Sequence, residues 1–273
     1  MNDPRLTRAH RGLADALIHL ARHARGGVAA EGDGLLLFCG EHRYPGPYCN
    51  GMLSLGAPAG QALREAREFF AARRRGFVVW TLDGADAELE RLCRASGWTQ
   101  RPPLEGMPIL VCEGPLARQR DGGPAVKRIV TDADADAYLG LVALAYGMGD
   151  APVELQRAVL FSPAAVTADG AIGFLALSEG RPAAGAMAVV ADGVACVLWI
   201  VTTPQAEGRG LAGAALRALV EAACEQGASL ACLQASQQGL SRWTAMGFEQ
   251  IGSYRRFVAP PMIGRATALQ PGA

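Results

Sequence analysis

Lysine is almost missing from the 273 residues: Lys127 stands alone among basic side chains that are otherwise arginine, a bias that reads as codon usage. The 26 basic and 26 acidic residues cancel. No basic stripe marks a nucleic-acid footprint, so no nucleic-acid partner is expected. No apolar run approaches the ~20 residues of a membrane helix, and Met1–Arg25 is charged throughout. Neither a membrane partner nor a signal peptide is expected. The seven cysteines (39, 49, 93, 112, 196, 224 and 232) form no CxxC pair and show no zinc-like spacing. Odd in number and scattered, they fit reduced core thiols of a cytoplasmic protein, Cys39 and Cys49 across a hairpin included. The four histidines all precede residue 43, and no acid stands close enough to His19 and His23 to complete a site; no metal is expected.

What is present is ordinary globular material, half of it apolar, in a chain long enough for two domains. Leu6, Leu13, Leu17 and Leu20 put a stripe on a helix over 5–25. Strands are expected at Leu35–Cys39, Tyr48–Leu55 and Phe77–Leu82, with helices at Pro58–Arg75 and Ala85–Ala95 and further strands within Trp98–Cys112. Glu113–Pro124 is charged, Gly/Pro-rich and without periodicity, which marks a linker. After it come a strand at Val126–Val130, a helix capped at Thr131, a second helix at Val153–Leu160, and apolar runs Ile172–Leu177, Ala183–Val190 and Val194–Val201. Glu179-Gly180 and Asp192-Gly193 divide these runs as hairpin turns, so they form an antiparallel meander. A helix over 211–226, a strand at 228–233, a helix at 237–246 and strands at 248–251 and 253–258 complete the pattern. Gly76–Trp98 and Gly227–Phe248 both run Gly, strand, loop, helix, Gly-aromatic, an internal repeat of about 150 residues.

The centre of the pattern is 194–226, a strand, a glycine loop and a helix. Free N–H groups and a favourable dipole at a helix start suit a phosphate, and glycines let the backbone close on it. A P-loop needs Gly-Lys-Ser/Thr, which is missing. Gly208, Gly210 and Gly213 do spell G-x-G-x-x-G, the mark of a nucleotide-dependent oxidoreductase. That fingerprint needs a parallel βαβ unit and an acid about twenty residues on, whereas a meander precedes it here and the next strand ends Leu233-Gln234-Ala235.

The whole order from 126 to 258 resembles the GNAT family of acyl-CoA-dependent N-acyltransferases, and residues 5–113 resemble it more faintly. The family loop, Gln/Arg-x-x-Gly-x-Gly/Ala, begins three residues after a common Pro; from Pro204 this places Glu207, Gly210 and Ala212, and Glu207 departs from the pattern. The resemblance implies an α/β (α+β) fold of two GNAT-like halves, each a mixed, mostly antiparallel sheet flanked by helices. The halves are a degenerate domain at 1–115 and a GNAT N-acetyltransferase domain at 126–260, with a linker at 116–125 and a loose tail at 261–273. It implies acetyl-CoA as acyl donor, with Ile200, Val201 and Thr202 beside the pantetheine arm. Gly208, Arg209, Gly210, Leu211, Ala212 and Gly213 would hold the pyrophosphate. The first half keeps only Leu55-Gly56-Ala57-Pro58 where its loop should be, and is expected to have lost the cofactor.

The implied reaction is direct attack of an amine on the thioester within a ternary complex, the acceptor being a small-molecule amine or an amino-acid-like one, and the protein a monomer or homodimer. In much of the family a Tyr four residues before Gly-Phe protonates the leaving thiolate; Trp243 stands there and cannot. Ser236 and Ala231 likewise replace a common Asn and Glu. Tyr254, and Tyr146 from the other side, are the remaining candidate acids. These departures leave open a non-catalytic acyl-CoA-binding or regulatory protein.

Overall fold

The computed structural model describes residues 3–117 and 123–260; the tail expected at 261–273 and much of the linker lie outside them. The first half of the chain supplies α1 (Pro4–His23), β1 (Val28–Gly32), β2 (Leu35–Cys39), β3 (Asn50–Ser54), α2 (Ala59–Ala72), β4 (Phe77–Leu82), α3 (Ala87–Ala95), β5 (Thr99–Gln100) and β6 (Met107–Glu113). The second supplies β7 (Val126–Arg128), α4 (Asp132–Ala145), α5 (Val153–Val159), α6 (Ala164–Thr167), β8 (Ala171–Ser178), β9 (Arg181–Ala191), β10 (Val194–Thr202), α7 (Leu211–Glu225), β11 (Leu230–Gln234), α8 (Gln237–Ala245) and β12 (Glu249–Ala259).

All the strands belong to one sheet, ordered β1-β2-β3-β4-β12-β6-β11-β10-β9-β8-β7, with β5 beside β12. Only β3–β4 and β10–β11 pair in parallel; the meander β8–β10 is antiparallel, as its Asp-Gly and Glu-Gly turns dictate. The sheets of the two halves are joined by an exchange. β6, from the first half, lies against β11 of the second, while β12, the last strand of the second half, is wedged between β6 and β4. The ranges 1–115 and 126–260 are therefore contiguous in the chain but interleaved in the sheet.

One face of the sheet is covered throughout by α1, α4 and α6 over a single core that includes Leu13, Leu17, Trp80, Tyr138 and Leu198. Two separate cores lie on the other face, one under α2 and α3 and one under α7 and α8. Asp3 caps α1 by accepting the Arg5 N–H at 2.9 Å, and Pro4 sits in the first turn, where its missing N–H costs nothing. The leucine stripe then lies across β9, β10 and β11, so the first helix of the chain covers the second half's sheet. It comes so close that a Cβ added at Gly12 would stand 2.6 Å from Val194 Cγ1.

Two strands depart from the expected elements. Val28–Gly32, exposed along most of its length, is a strand without an alternating pattern to announce it. The strands expected at 248–251 and 253–258 are one strand, β12, carrying a bulge between Gln250 and Gly252. Gly252 serves close packing as well: a Cβ there would lie 3.2 Å from Leu6 Cδ1. All seven cysteines are free, and Cys39 is cross-strand partner to Asn50 rather than Cys49. Lys127 pairs with Asp134 at 2.6 Å in the first turn of α4. Among the described residues no helix is long and apolar enough to cross a membrane.

This packing half-buries His10 and buries His19. His10 lies between the Ser54 carbonyl, 2.7 Å from Nε2, and the Tyr254 hydroxyl, 2.8 Å from Nδ1. A carbonyl only accepts, so the bonding assigns the proton to Nε2 and makes Nδ1 the acceptor. His19 Nε2 similarly donates to Ala165 O at 2.8 Å. Burial holds both imidazoles below their ordinary pKa. As the pH falls below about 6.5, the unfolded chain takes up these protons before the folded one does, so stability drops toward acid. Asp86, whose carboxyl burial holds above its usual range, works in the opposite sense. The urea midpoint is expected to fall between about pH 7.5 and pH 5.5, with a smaller fall in His10→Gln. A midpoint independent of pH over this range would contradict the neutral buried pair.

Candidate active site

β10 and β11 run side by side only from Val194–Val197 against Leu230–Leu233. β11 then ends at Gln234, while β10 continues to Thr202. The β11-facing edge of Leu198–Thr202 is thus left without a strand partner. The parting coincides with a bulge: the register with β9 shifts between Leu198 and Val201, and Trp199 sits at φ +45°, a region that bulky residues seldom enter. Tyr138 braces it. This fully buried side chain donates its hydroxyl to Trp199 O at 2.7 Å, with Leu198 O at 3.3 Å. Its ring lies over Gly185 of β9, where an added Cβ would be 2.8 Å from the ring.

After β10, a 3-10 turn at Pro204–Ala206 leads into Gly208 and Gly210, at φ +73° and +76°. Gly210 is the N-cap of α7, and no side chain caps this helix. The first amide in it to find a carbonyl is Ala214 N–H, on Gly210 O at 3.0 Å. Among the described residues the N–H groups of Leu211, Ala212 and Gly213 find no partner. A Cβ added at Gly208 or Gly210 would meet nothing within 4 Å. The glycines serve the left-handed turns, and the space in front of the amides is open.

A cavity of about 890 Å³ passes through the parting. On one side it is walled by Ile200–Thr202, Ala212, Leu233–Ser236 and Trp243, and on the other by Tyr48, Arg101, Tyr146, Trp199 and Arg256. Ile200, Val201, Thr202 and Ala212 thus line it directly. Gly208 and Gly210 form the exposed loop beside it, while Leu211 and Gly213 bury their side positions and present only main chain. Arg209 is exposed and donates to Ser178 Oγ at 2.8 Å; it makes no ion pair with Glu207, the only carboxylate among the cavity-lining residues. Ser236 caps α8 by accepting Gly239 N–H at 3.1 Å.

Tyr254 is elsewhere. It is 1% exposed, bonded to His10 and stacked on it beneath α1, and it does not line the cavity. The bulge in β12 turns it to that face, because one extra residue reverses the side on which every later side chain lies. Tyr146 does face the cavity. Tyr146 is 55% exposed to solvent, and desolvation by the atoms packed around the phenol holds its pKa above the ordinary value. Tyr48 packs on Trp80 and Trp199, with ring centroids 5.7 and 5.0 Å away, and burial also holds its phenol high. Tyr48, Arg101 and Arg256 had no motif to single them out; the only trace is that Tyr48 closes the Tyr44-Pro45-Gly46-Pro47 turn.

The first half repeats the parallel pair and turn, as β3, β4 and Leu55–Pro58. There the polar groups are spent internally. Leu55 and Ala57 both donate to Gly34 O, at 2.7 and 3.0 Å, and Ser54 O is taken by His10.

Residues 145–248 match the model of the Acetyltransferase (GNAT) family. The second half of the chain therefore carries a GNAT domain. Solved structures extend the likeness to the whole chain. A GCN5-related N-acetyltransferase from Kribbella flavida superposes with TM-score 0.68 at 20% identity, covering 93% of this chain and 95% of that one. A tandem GNAT protein from the clavulanic acid biosynthesis pathway gives 0.58 at 14% identity, over 95% and 96%. A GCN5-related N-acetyltransferase from Sphaerobacter thermophilus gives 0.55 at 12% identity, over 84% and 81%. At these identities the likeness is one of fold. Among curated proteins none matches the chain in sequence. Family and fold together support acyl transfer as the function.

Removing the brace on the bulge tests the site's construction. Tyr138→Phe leaves the Trp199 carbonyl without its donor, and is expected to lower stability by about 1–3 kcal/mol and to weaken acyl-CoA binding. Urea denaturation and calorimetric titration measure the two; an unchanged affinity would show that the bulge holds its shape without Tyr138.

Proposed function

We propose that the chain is an acetyl-CoA-dependent N-acetyltransferase acting on a small-molecule amine, with its donor site in the second half. The observation that carries this reading is the uncapped amide end of α7 standing beside a free strand edge at the mouth of a through-sheet cavity. A helix start with three unpaired N–H groups suits a pyrophosphate, and a free strand edge suits an extended, amide-rich arm. Gly208–Gly213 would hold the pyrophosphate, and Ile200–Thr202 would pair with the pantetheine.

Acetyl-CoA supplies an activated thioester. The chain's part is to hold the amine against it in a cavity large enough for both, which alone accounts for much of such a rate. A new C–N bond forms as the C–S bond breaks; the amine proton leaves to water, and the thiolate needs a proton. Trp243 holds the position of the family's acid and has none to give. Tyr146 is the hydroxyl we assign to do so, because it lines the cavity and a phenol carries its proton at neutral pH. The first half, with its loop amides spent on Gly34, is a packing partner that walls the acceptor side. A cytoplasmic monomer or homodimer is in keeping with this reading.

Trp243 and the lack of a carboxylate on the acceptor side favour a second reading, a non-catalytic acyl-CoA-binding protein. The first experiment is calorimetric titration with acetyl-CoA, CoA and NADH. Acetyl-CoA is expected to bind, and Gly210→Glu, which sets an anion before the α7 amides, is expected to abolish binding. Survival of binding in that variant would move the site to the first half. Tyr146→Phe is expected to lower kcat by about 10²-fold with acetyl-CoA affinity unchanged. Binding without turnover on any amine would favour the second reading.

A further inference from the structure

We propose that the acceptor amine carries a carboxylate, and that Arg101 and Arg256 read it. This deepens the acyltransferase reading and rests on it. The two arginines come from distant parts of the chain, the segment after β5 and strand β12. Their backbones are joined by a hydrogen bond from Arg101 N–H to Arg256 O at 2.7 Å, and both line the cavity on the side away from the glycine loop. Neither makes an ion pair among the described residues, and no carboxylate lies on that side. Two half-buried positive charges are thus held side by side with nothing to offset them, an arrangement that is costly unless an anion joins it.

The donors that remain define the anion's shape. Arg256 Nη2 is committed to Pro102 O at 2.9 Å, and Arg101 Nη2 to Pro45 O and the Tyr44 hydroxyl, each at 3.1 Å. Each guanidinium also lies near an aromatic ring, Arg101 5.6 Å from the Tyr44 centroid and Arg256 5.5 Å from that of Trp80. With Nη2 engaged, each arginine still offers Nη1, so the pair can meet the two oxygens of a carboxylate with one N–H from each side chain. Arg101 Nε is buried with no partner, and so is Trp199 Nε1. The orphaned buried polar atoms of the cavity-lining residues are both donors, so this wall presents an anion with no spare buried acceptor. With the amine at the thioester and its carboxylate on this pair, the acceptor is amino-acid-like.

Amines matched except for the carboxylate test this directly: phenylalanine against phenethylamine, tyrosine against tyramine, histidine against histamine. Each is titrated calorimetrically into the chain saturated with CoA, so that no turnover intervenes. The carboxylated member is expected to bind at least about tenfold more tightly in one or more pairs. That advantage is expected to disappear in Arg101→Gln and Arg256→Gln and to persist in part in Arg256→Lys, with thermal melting as the control for folding. A merely structural role for the arginines would weaken both members of a pair equally. Equal binding within every pair, no binding of any carboxylated member at millimolar concentration, or an advantage that survives both Gln variants would overturn the proposal. If CoA fails to bind, the same titrations on the unliganded chain still decide the carboxylate, and only the acyltransferase reading is lost.

Discussion

The site depends on one constraint, the parting of two parallel strands. In a continuous sheet β10 and β11 would pair along their whole length and leave no room between them. Here pairing stops at Val197, and the polar backbone so freed has to be satisfied or left for a ligand. The bulge at Trp199 divides these tasks. It turns one carbonyl inward to the Tyr138 hydroxyl and leaves the far edge of the strand open to the cavity. The tyrosine can lie there only because residue 185 has no side chain. A glycine in one strand, an aromatic ring in a helix and a strained backbone in the next strand therefore act as one device.

The two halves use the same local plan to opposite ends. In the second, the turn after the parallel strand leaves its amides free and opens toward Trp243 and Tyr146. In the first, Gly34 takes two of the turn's N–H groups and His10 takes the strand's last carbonyl. The helix that carries His10 also covers the sheet of the second half, so what shuts one half supports the other.

Much of this was legible from residue order. The leucine spacing of α1, the Asp-Gly and Glu-Gly turns of the meander, and the glycines at 208 and 210 each act through local rules, and they fell where those rules put them. The site's other wall was not legible. Arg101 and Arg256 meet because β12 leaves the half of the chain that contains it, and no local pattern records which distant strand an edge will choose. Tyr254 shows the same limit on a smaller scale. Its distance from Gly247-Phe248 fits the site, but a single bulged residue at 251 decides its face. Tyr48 was hidden by the opposite problem, a proline turn whose role is set by the aromatic rings it meets rather than by its own conformation.

The exchange of β6 and β12 has a consequence for how the chain is made. On a ribosome the segment through β6 emerges with β4 lacking its inner neighbour and β6 lacking both of its own. The strand that fills the gap between them is the last to appear. The first half therefore has no finished sheet while the second is being synthesised, and its open edges wait for more than a hundred further residues. Contacts of such long range also make closure slow. The two halves reach their final form together, once β12 has emerged, and an interval of exposed strand edges is built into the topology.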